Sequence, residues 1–449
     1  MSGRRFHVEN LGCAKNQVDA EVMIAALERR GWAVADPEDA DFIIINSCGF
    51  IAPAKEESIN VTLSTIEEYP DARVVMSGCL SQRYADDIAK EIPELAGVFG
   101  NRAPHLIPEF LARIAEPEPP APKPSVWLPT EPLSGQPRQR LLSFPGSAFV
   151  KVSEGCDNRC TFCAIPLIRG TLRSKPLPHL LTEIDELLSN GTHEINLVAQ
   201  DLASYGRDLT TPKTAVELLK ALSGRSGDFW IRLLYVYPER FPTEFLDLIE
   251  ADPRLLPYFD IPFQHAAPGV LKKMGRPGTH ESYLRLIEET RRRLPDVFIR
   301  STLLTGFFGE DQKAFDQLLA FQQAAQLDWL GVFPYSPEEG TPAMRGEPEL
   351  DVSPELAIER ANELNERQRP ITERRVERLV GKRLPVLVEE LIPEEPLALG
   401  RCYAQAPEVD GAVVLHIPEE RPELEIAPGR IVECAIIKRN GLDVEAVPL

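Results

Sequence analysis

Nowhere in these 449 residues is there an uninterrupted apolar run of the roughly eighteen residues that a membrane-spanning helix needs. The opening MSGRRFHVENLGC has no apolar stretch of the kind a secretory leader carries. The expectation is therefore a cytoplasmic protein without a membrane partner. Positive charge is also scarce: 49 lysines and arginines stand against 69 aspartates and glutamates, a net charge of −20. A protein that lives on nucleic acid usually shows a basic stripe. The total argues against a polyanion as main partner and permits a basic one, because opposite charge speeds and orients encounter. Cysteine is too sparse for a disulfide scaffold, with eight in the chain. In a cytosolic chain of this size, clustered cysteines more often bind metal or act in catalysis than form disulfides.

A fourth cysteine is the most informative absence. Residues 155–163 read GCDNRCTFC, which places Cys156, Cys160 and Cys163 at C-x3-C-x2-C spacing. A structural zinc site usually closes its shell with four protein ligands, and iron–sulfur clusters are normally held by four cysteines. Either this is no metal site or one coordination position is left open. The spacing also falls on one face of a helix, as core positions do, but Gly155, Asp157 and Asn158 favour a loop.

Composition shifts divide the chain. Residues 116–137 are dense in proline and read as a semi-rigid linker. We place an N-terminal unit at 4–114, a linker at 115–140, a central unit at 141–376 and a C-terminal unit at 377–449. In the first, the strands FHVENLG, FIIINS and VVMSG run into Cys13, Cys48 and Cys79, each followed by a helical pattern. Such alternation implies a parallel sheet covered on both faces. The three cysteines then share the carboxyl edge, where open α/β sheets bind ligands. The bland alternative is that they pack as small apolar groups; three equivalent positions beside glycine or serine weigh against it. The central unit has six strand-like runs separated by helical patterns, an incomplete version of the eight-stranded barrel. Its active residues belong at the strands' carboxyl ends, and the 156–163 loop follows the first strand. The C-terminal unit has five short strands, as in a small oligonucleotide-binding type of barrel. The fold class is thus α/β with a small all-β barrel appended. Cys402 and Cys434 fall in its predicted strands and read as packing residues.

The C-x3-C-x2-C loop, with Phe162 before its last cysteine, resembles that of the radical S-adenosylmethionine superfamily. Further blocks, NLGCAKNQVDAE (10–21), IINSCGFI (44–51), SGCLSQRY (77–84), KVSEGCDNRCTFCAIPLIRG (151–170), DIPFQHA (260–266) and GVFPYSPEEGT (331–341), resemble the methylthiotransferase family along essentially the whole chain. The resemblance implies a 4Fe–4S cluster on Cys156, Cys160 and Cys163, whose open iron holds S-adenosylmethionine and whose electron releases a 5′-deoxyadenosyl radical. It implies a second 4Fe–4S cluster on Cys13, Cys48 and Cys79 that carries an extra sulfur. One S-adenosylmethionine methylates that sulfur and another provides the radical, so C–SCH3 replaces C–H. It implies an electron donor such as flavodoxin or ferredoxin, and a C-terminal TRAM domain that docks the substrate. No catalytic side chains beyond the cluster ligands are implied.

Two branches of the family differ in substrate. One modifies adenosine in transfer RNA, the other an aspartate in small-subunit ribosomal protein S-twelve. AQDLASYGRD (199–208) and GRCYAQAPEVDG (400–411) resemble the ribosomal-protein branch, and the acidic excess in 382–449 agrees with a basic protein substrate. Cofactor contacts are expected from Phe162, Gln200, Asp201, His265 and Arg300. For Asp201 the alternative is a helix N-cap, and for His265 simple structural support. Arg300, within a strand, needs an anionic or polar partner if buried. Phe308 stands where the family commonly has proline. Readings from other classes are a non-catalytic iron–sulfur or zinc module on ribosomes and a redox enzyme of exchanging thiols.

Overall fold

The computed structural model describes residues 4–115, 124–131, 137–211, 213–346, 348, 350–418 and 425–449. The first unit is a six-stranded parallel sheet of β1 (Arg5–Asn10), β2 (Ala33–Val34), β3 (Phe42–Ser47), β4 (Arg73–Gly78), β5 (Gly97–Phe99) and β6 (Ser125–Trp127), in the order β2-β1-β3-β4-β5-β6. Its central strand FIIINS is buried throughout, as a strand covered on both faces requires. Part of the proline-rich segment, 116–123 and 132–136, lies outside the described residues. The remainder corrects the linker expectation, because Ser125–Trp127 is an edge strand paired with β5. An edge position tolerates flanking prolines that an interior strand does not.

The central unit carries β7 (Ser147–Lys151), a two-stranded pair of β8 (Ser153–Glu154) and β9 (Arg173–Ser174), and then β10 (Glu194–Val198), β11 (Trp230–Leu233), β12 (Leu255–Asp260), β13 (Phe298–Thr305) and β14 (Trp329–Pro334). Six of these form one parallel sheet in sequential order, β14-β13-β12-β11-β10-β7. The sheet is open, so β7 and β14 do not pair with each other. One apolar core, including Ile195, Leu197, Phe259, Phe263 and Leu318, fills the space between this sheet and its helices.

The third unit is a closed barrel of β15 (Arg383–Leu391), β16 (Leu397–Arg401), β17 (Val413–His416), β18 (Ile431–Asn440) and β19 (Asp443–Pro448), in the order β15-β16-β17-β19-β18. The expected second strand ends at Arg401. Residues 402–411 instead run into the face of the central sheet opposite its helices. Arg232 donates to the carbonyls of Tyr403 (2.7 Å) and Cys402 (3.3 Å), and the Trp329 indole donates to that of Ala404 (2.7 Å). The Tyr258 hydroxyl donates to Asp410 at 2.6 Å. Cys402 and Cys434 are fully buried in this shared core. No helix among the described residues is long and apolar enough to cross a membrane.

Glu194 locks the two units together. Its carboxylate accepts from Arg232 at 2.9 and 3.0 Å, from Arg401 of β16 at 2.7 Å and from the Ser147 hydroxyl at 2.9 Å. Burial opposes ionisation, but Arg401 and then Arg232 outweigh it and hold the group well below the usual carboxylate range. Stability from a depressed carboxylate is present above the unfolded-state value and lost as pH falls through the folded one, so it is intact at neutral pH. Removing one partner of a buried ion cluster leaves uncompensated charge at a cost of about 3–5 kcal/mol. Glu194→Gln is therefore expected to lower the free energy of unfolding at pH 7 by about that much, read by urea denaturation.

Candidate active site

Strand register brings the first three cysteines to one edge. Asn10 pairs with Asn46, Asn46 with Ser77, and Ser47 with Gly78. Cys48 and Cys79 therefore leave adjacent strands side by side, and Cys13 precedes α1 (Ala14–Arg29) on the next strand. A Cβ on Gly12, whose φ is +105°, would lie 3.0 Å from Cβ and 3.3 Å from Sγ of Cys48. Only glycine lets the Cys13 loop approach this closely in that conformation. Cys13 opens to solvent while Cys79 is buried. Burial and the neighbouring Cys13 push the Cys48 thiol up, and burial pushes Cys79 up to about 11. At Cys13 the protein packed around the sulfur disfavours the thiolate although the residue reaches solvent, but Lys15, Arg169 and two backbone N–H groups prevail and lower the thiol from its ordinary value.

The second triad occupies an irregular loop rather than a helix, as its glycine and asparagine imply. Gly155 has φ +72°, and a Cβ there would lie 2.1 Å from the Thr171 carbonyl oxygen. The loop is tied down by Cys156 N–H to the Gly170 carbonyl (3.1 Å) and Thr161 N–H to that of Met274 (3.0 Å). Burial raises all three thiols, Cys156 to about 11 and Cys163 to about 12. Desolvated thiols of this kind lose their protons to a bound metal.

The two triads adjoin. Cys79 packs against Ala164, the residue after Cys163, and against Ile168. Arg169, fully buried, donates to Cys79 Sγ at 3.2 Å, to Asn16 at 2.5 Å, to Asp19 of α1 at 2.9 Å and to Glu154 at 2.8 Å. Asn101 gives Cys79 a second N–H at 3.4 Å. Lys151 completes the group by pairing with Asp19 and, at 2.5 Å, with Glu154. Burial would raise Glu154, but Arg169 and Lys151 hold it far below the usual range. Sequence reading missed Arg169, Lys151, Glu154 and Asp19, because a polar residue's partner in another domain leaves no local pattern.

The other expected contacts divide. Phe162 packs on Phe307 with ring centroids 6.1 Å apart, beneath the loop. Gln200, two residues past β10, donates to Glu154 at 3.2 Å, while its side-chain oxygen is buried without a partner. Asp201 takes the N-cap position at 202–204. Its carboxylate accepts from Ala203 N–H at 3.0 Å, Asn158 at 3.0 Å, Ser204 at 2.7 Å and Arg240 at 2.6 Å. It therefore steadies the cysteine loop. His265 is likewise structural: Nδ1 accepts from Ala267 N–H at 3.0 Å and Nε2 donates to Glu310 at 3.2 Å, which uses both ring nitrogens. Arg300 pairs with Asp410 of the C-terminal unit at 2.7 Å, so its anionic partner is the protein's own. Phe308 packs edge-on against Phe307 and Tyr335, in the cluster that also takes Phe162.

The residues present fit the clusters. Among the described residues no three His, Cys, Asp or Glu groups converge as around a single ion. In a cubane each cysteine takes its own iron, so such convergence is not needed. Three thiols at each site, a glycine cradle and the unmet oxygen of Gln200 suit an open cluster with an organic ligand beside it.

Three family models match the chain: an uncharacterized protein family, UPF0004, over residues 5–100, the radical SAM superfamily over 150–321 and the TRAM domain over 380–449. The chain is 43% identical to ribosomal protein uS12 methylthiotransferase RimO of Treponema denticola, across 97% of this chain and 99% of that protein. It is 38% identical to the protein of that name from Carboxydothermus hydrogenoformans, across 98% of each. Among solved structures, the radical S-adenosylmethionine methyltransferase TsrM from Kitasatospora setae superposes with a TM-score of 0.54 over 75% of both chains at 17% identity. The S-adenosylmethionine radical enzyme OxsB gives 0.50 over 81% of this chain and 56% of that one, at 14% identity. These two likenesses concern the fold alone.

Gly12→Ala is expected to cost about 1–3 kcal/mol through strain at positive φ and to change the rate at which iodoacetamide labels Cys48. Gly31→Ala has φ +78° but open space around it. It should cost about 1 kcal/mol and leave the labelling unchanged. Urea denaturation and mass-spectrometric labelling check both.

Proposed function

The chain belongs to the ribosomal protein uS12 methylthiotransferase family, and we propose that it replaces a β-carbon hydrogen of an aspartate in protein uS12, the small-subunit protein S-twelve, with a methylthio group. It is a radical S-adenosylmethionine enzyme that uses S-adenosylmethionine and a 4Fe–4S cluster. The reading of Cys13, Cys48 and Cys79 as holding a second 4Fe–4S cluster is supported by their meeting at one sheet edge, where Cys79 packs against Ala164 beside the other triad. That adjacency is the single observation that carries the proposal. A scaffold or a thiol-exchange enzyme has no need of two three-cysteine sites side by side.

When bound, the group on Cys156, Cys160 and Cys163 supplies one electron to S-adenosylmethionine, and the group on the other triad supplies the sulfur. The protein's task is to bind, orient and exclude water. Asp201 fixes the 156–163 loop through Asn158, and Phe162 backs it. Gln200 offers its unmet oxygen to the ammonium end of S-adenosylmethionine. Arg169 offsets negative charge on Cys79 while holding the two units in register. The 402–411 loop closes the floor of the central sheet, which keeps water from the reacting carbon. The electron comes from a small one-electron donor of the flavodoxin or ferredoxin class. The substrate is expected as a basic protein, free or on the ribosome.

The test is anaerobic reconstitution, then incubation with reductant, sulfide, S-adenosylmethionine and a peptide carrying the uS12 target loop. Mass spectrometry should find SCH3 in place of H on the aspartate. The same gain on transfer RNA alone would overturn the substrate. Iron analysis should give about eight irons per chain, falling to about four when either triad is changed to alanine. A value of about four in the unaltered chain would remove the second cluster.

A further inference from the structure

Lys15 is a buried cation without a counter-ion. It is 8% exposed, and among the described residues its ammonium has no carboxylate within ion-pair distance. A lysine ammonium has three donors. Here one reaches the Ala199 carbonyl at 3.4 Å, a long contact, and the charge lies 3.5 Å from the centre of the Tyr235 ring. Buried charges are ordinarily paired, and every other cation of this region obeys that rule. Arg169 and Lys151 have Asp19 and Glu154, and Arg300 has Asp410.

Its position is as telling as its lack of a partner. Lys15 is two residues beyond Cys13, on the N-terminal unit. The carbonyl it touches precedes Gln200 at the carboxyl end of β10, on the central unit. The ammonium thus stands at the junction of the N-terminal and central units, beside the first triad. Tyr235, beneath it, is a non-glycine residue at φ +62°. Such backbone strain gathers at functional sites and persists only where surroundings enforce it. Here it turns the ring under the ammonium. Lys15 favours the Cys13 thiolate through its charge, but among the described residues no hydrogen bond joins the ammonium to that sulfur, so the ammonium's other donors stay available to a ligand. Asp260 lies nearby with one carboxylate oxygen buried and unpartnered. It stops short of ion-pair distance and shares the field of Arg300.

We propose that Lys15 binds the side-chain carboxylate of the acceptor aspartate and is the residue that selects an acidic acceptor. This rests on the reading of aspartate as the acceptor. An ammonium fixed two residues from Cys13 would hold the carboxylate so that the adjacent β-carbon lies beside the first triad. A nucleobase offers no such anion, so the same residue would disfavour one.

The experiment uses the reconstituted full-length protein and two synthetic peptides of the target loop, one with the aspartate and one with asparagine in its place. Binding is read by fluorescence anisotropy and turnover by mass spectrometry. The unaltered protein should bind the aspartate peptide more than about tenfold tighter than the asparagine one, as expected for a charge-assisted bond. Lys15→Met should bring that ratio near one, and Lys15→Arg should restore most of it. The KM for S-adenosylmethionine is measured alongside, because its carboxylate is the other anion available. Equal binding of the two peptides by the unaltered protein would overturn the inference without any variant. So would a Lys15→Met protein that keeps the full preference, or one whose only change is a higher KM for S-adenosylmethionine. Failure of the unaltered protein to modify the aspartate peptide at all would instead sink the broader reading.

Discussion

The site depends on one buried guanidinium. Arg169 belongs to the central unit but spends its hydrogen bonds on Asp19, Asn16 and Cys79 of the N-terminal unit as well as on Glu154 of its own. Taken with Lys151, the cluster sets two cations against two carboxylates, so it is neutral as a group. A buried ionic group adds little net stability over an apolar one of the same shape, but it is intolerant of misplacement. That intolerance is its use here. An apolar interface would let the two units slide, whereas a guanidinium fork admits one register of four acceptors. The register it admits puts Cys79 against Ala164, and so places one triad beside the other.

The C-terminal barrel is held by the same principle at the other end of the central sheet. Glu194, Arg232 and Arg401 form a second buried ionic knot, and Asp410 meets Arg300 and Tyr258 nearby. The segment 402–411 thereby becomes part of the active-site unit rather than a remote docking arm. An open parallel sheet leaves one face without helices, and that face must be covered or bind something. Here part of it is covered by the chain's own 402–411 loop and part by Val18 of α1.

Much of this was legible from the sequence where periodicity or spacing carries the signal. The parallel strands ending at Cys13, Cys48 and Cys79, the six sequential strands and the five-stranded barrel all follow from alternation of apolar runs with helical patterns. The Cys156–Cys163 loop was legible from its spacing. What was not legible depends on partners distant in the sequence. Asp201 and His265 sit where cofactor contacts were expected, at strand ends, yet their polar atoms are consumed by neighbours that only the folded chain supplies. Arg300 needed an anion, and the anion is 110 residues away in Asp410. The short strand Ser125–Trp127 was hidden because proline density masks an edge strand, whose outer side makes no ladder bonds.

Charge is distributed with opposite sense outside and inside. The chain as a whole carries −20, which draws a basic partner at long range and is screened within about a Debye length in the cell. Between the N-terminal and central units, where screening fails, the Lys15 ammonium has no carboxylate within ion-pair distance among the described residues. A substrate that is basic overall but presents an acidic residue satisfies both fields: the surface gathers the molecule and the interior chooses the side chain. A polyanion satisfies neither the acidic exterior nor, at its bases, the buried ammonium. The two scales therefore select for the same kind of partner by independent means, since one acts on encounter and the other on the bound state.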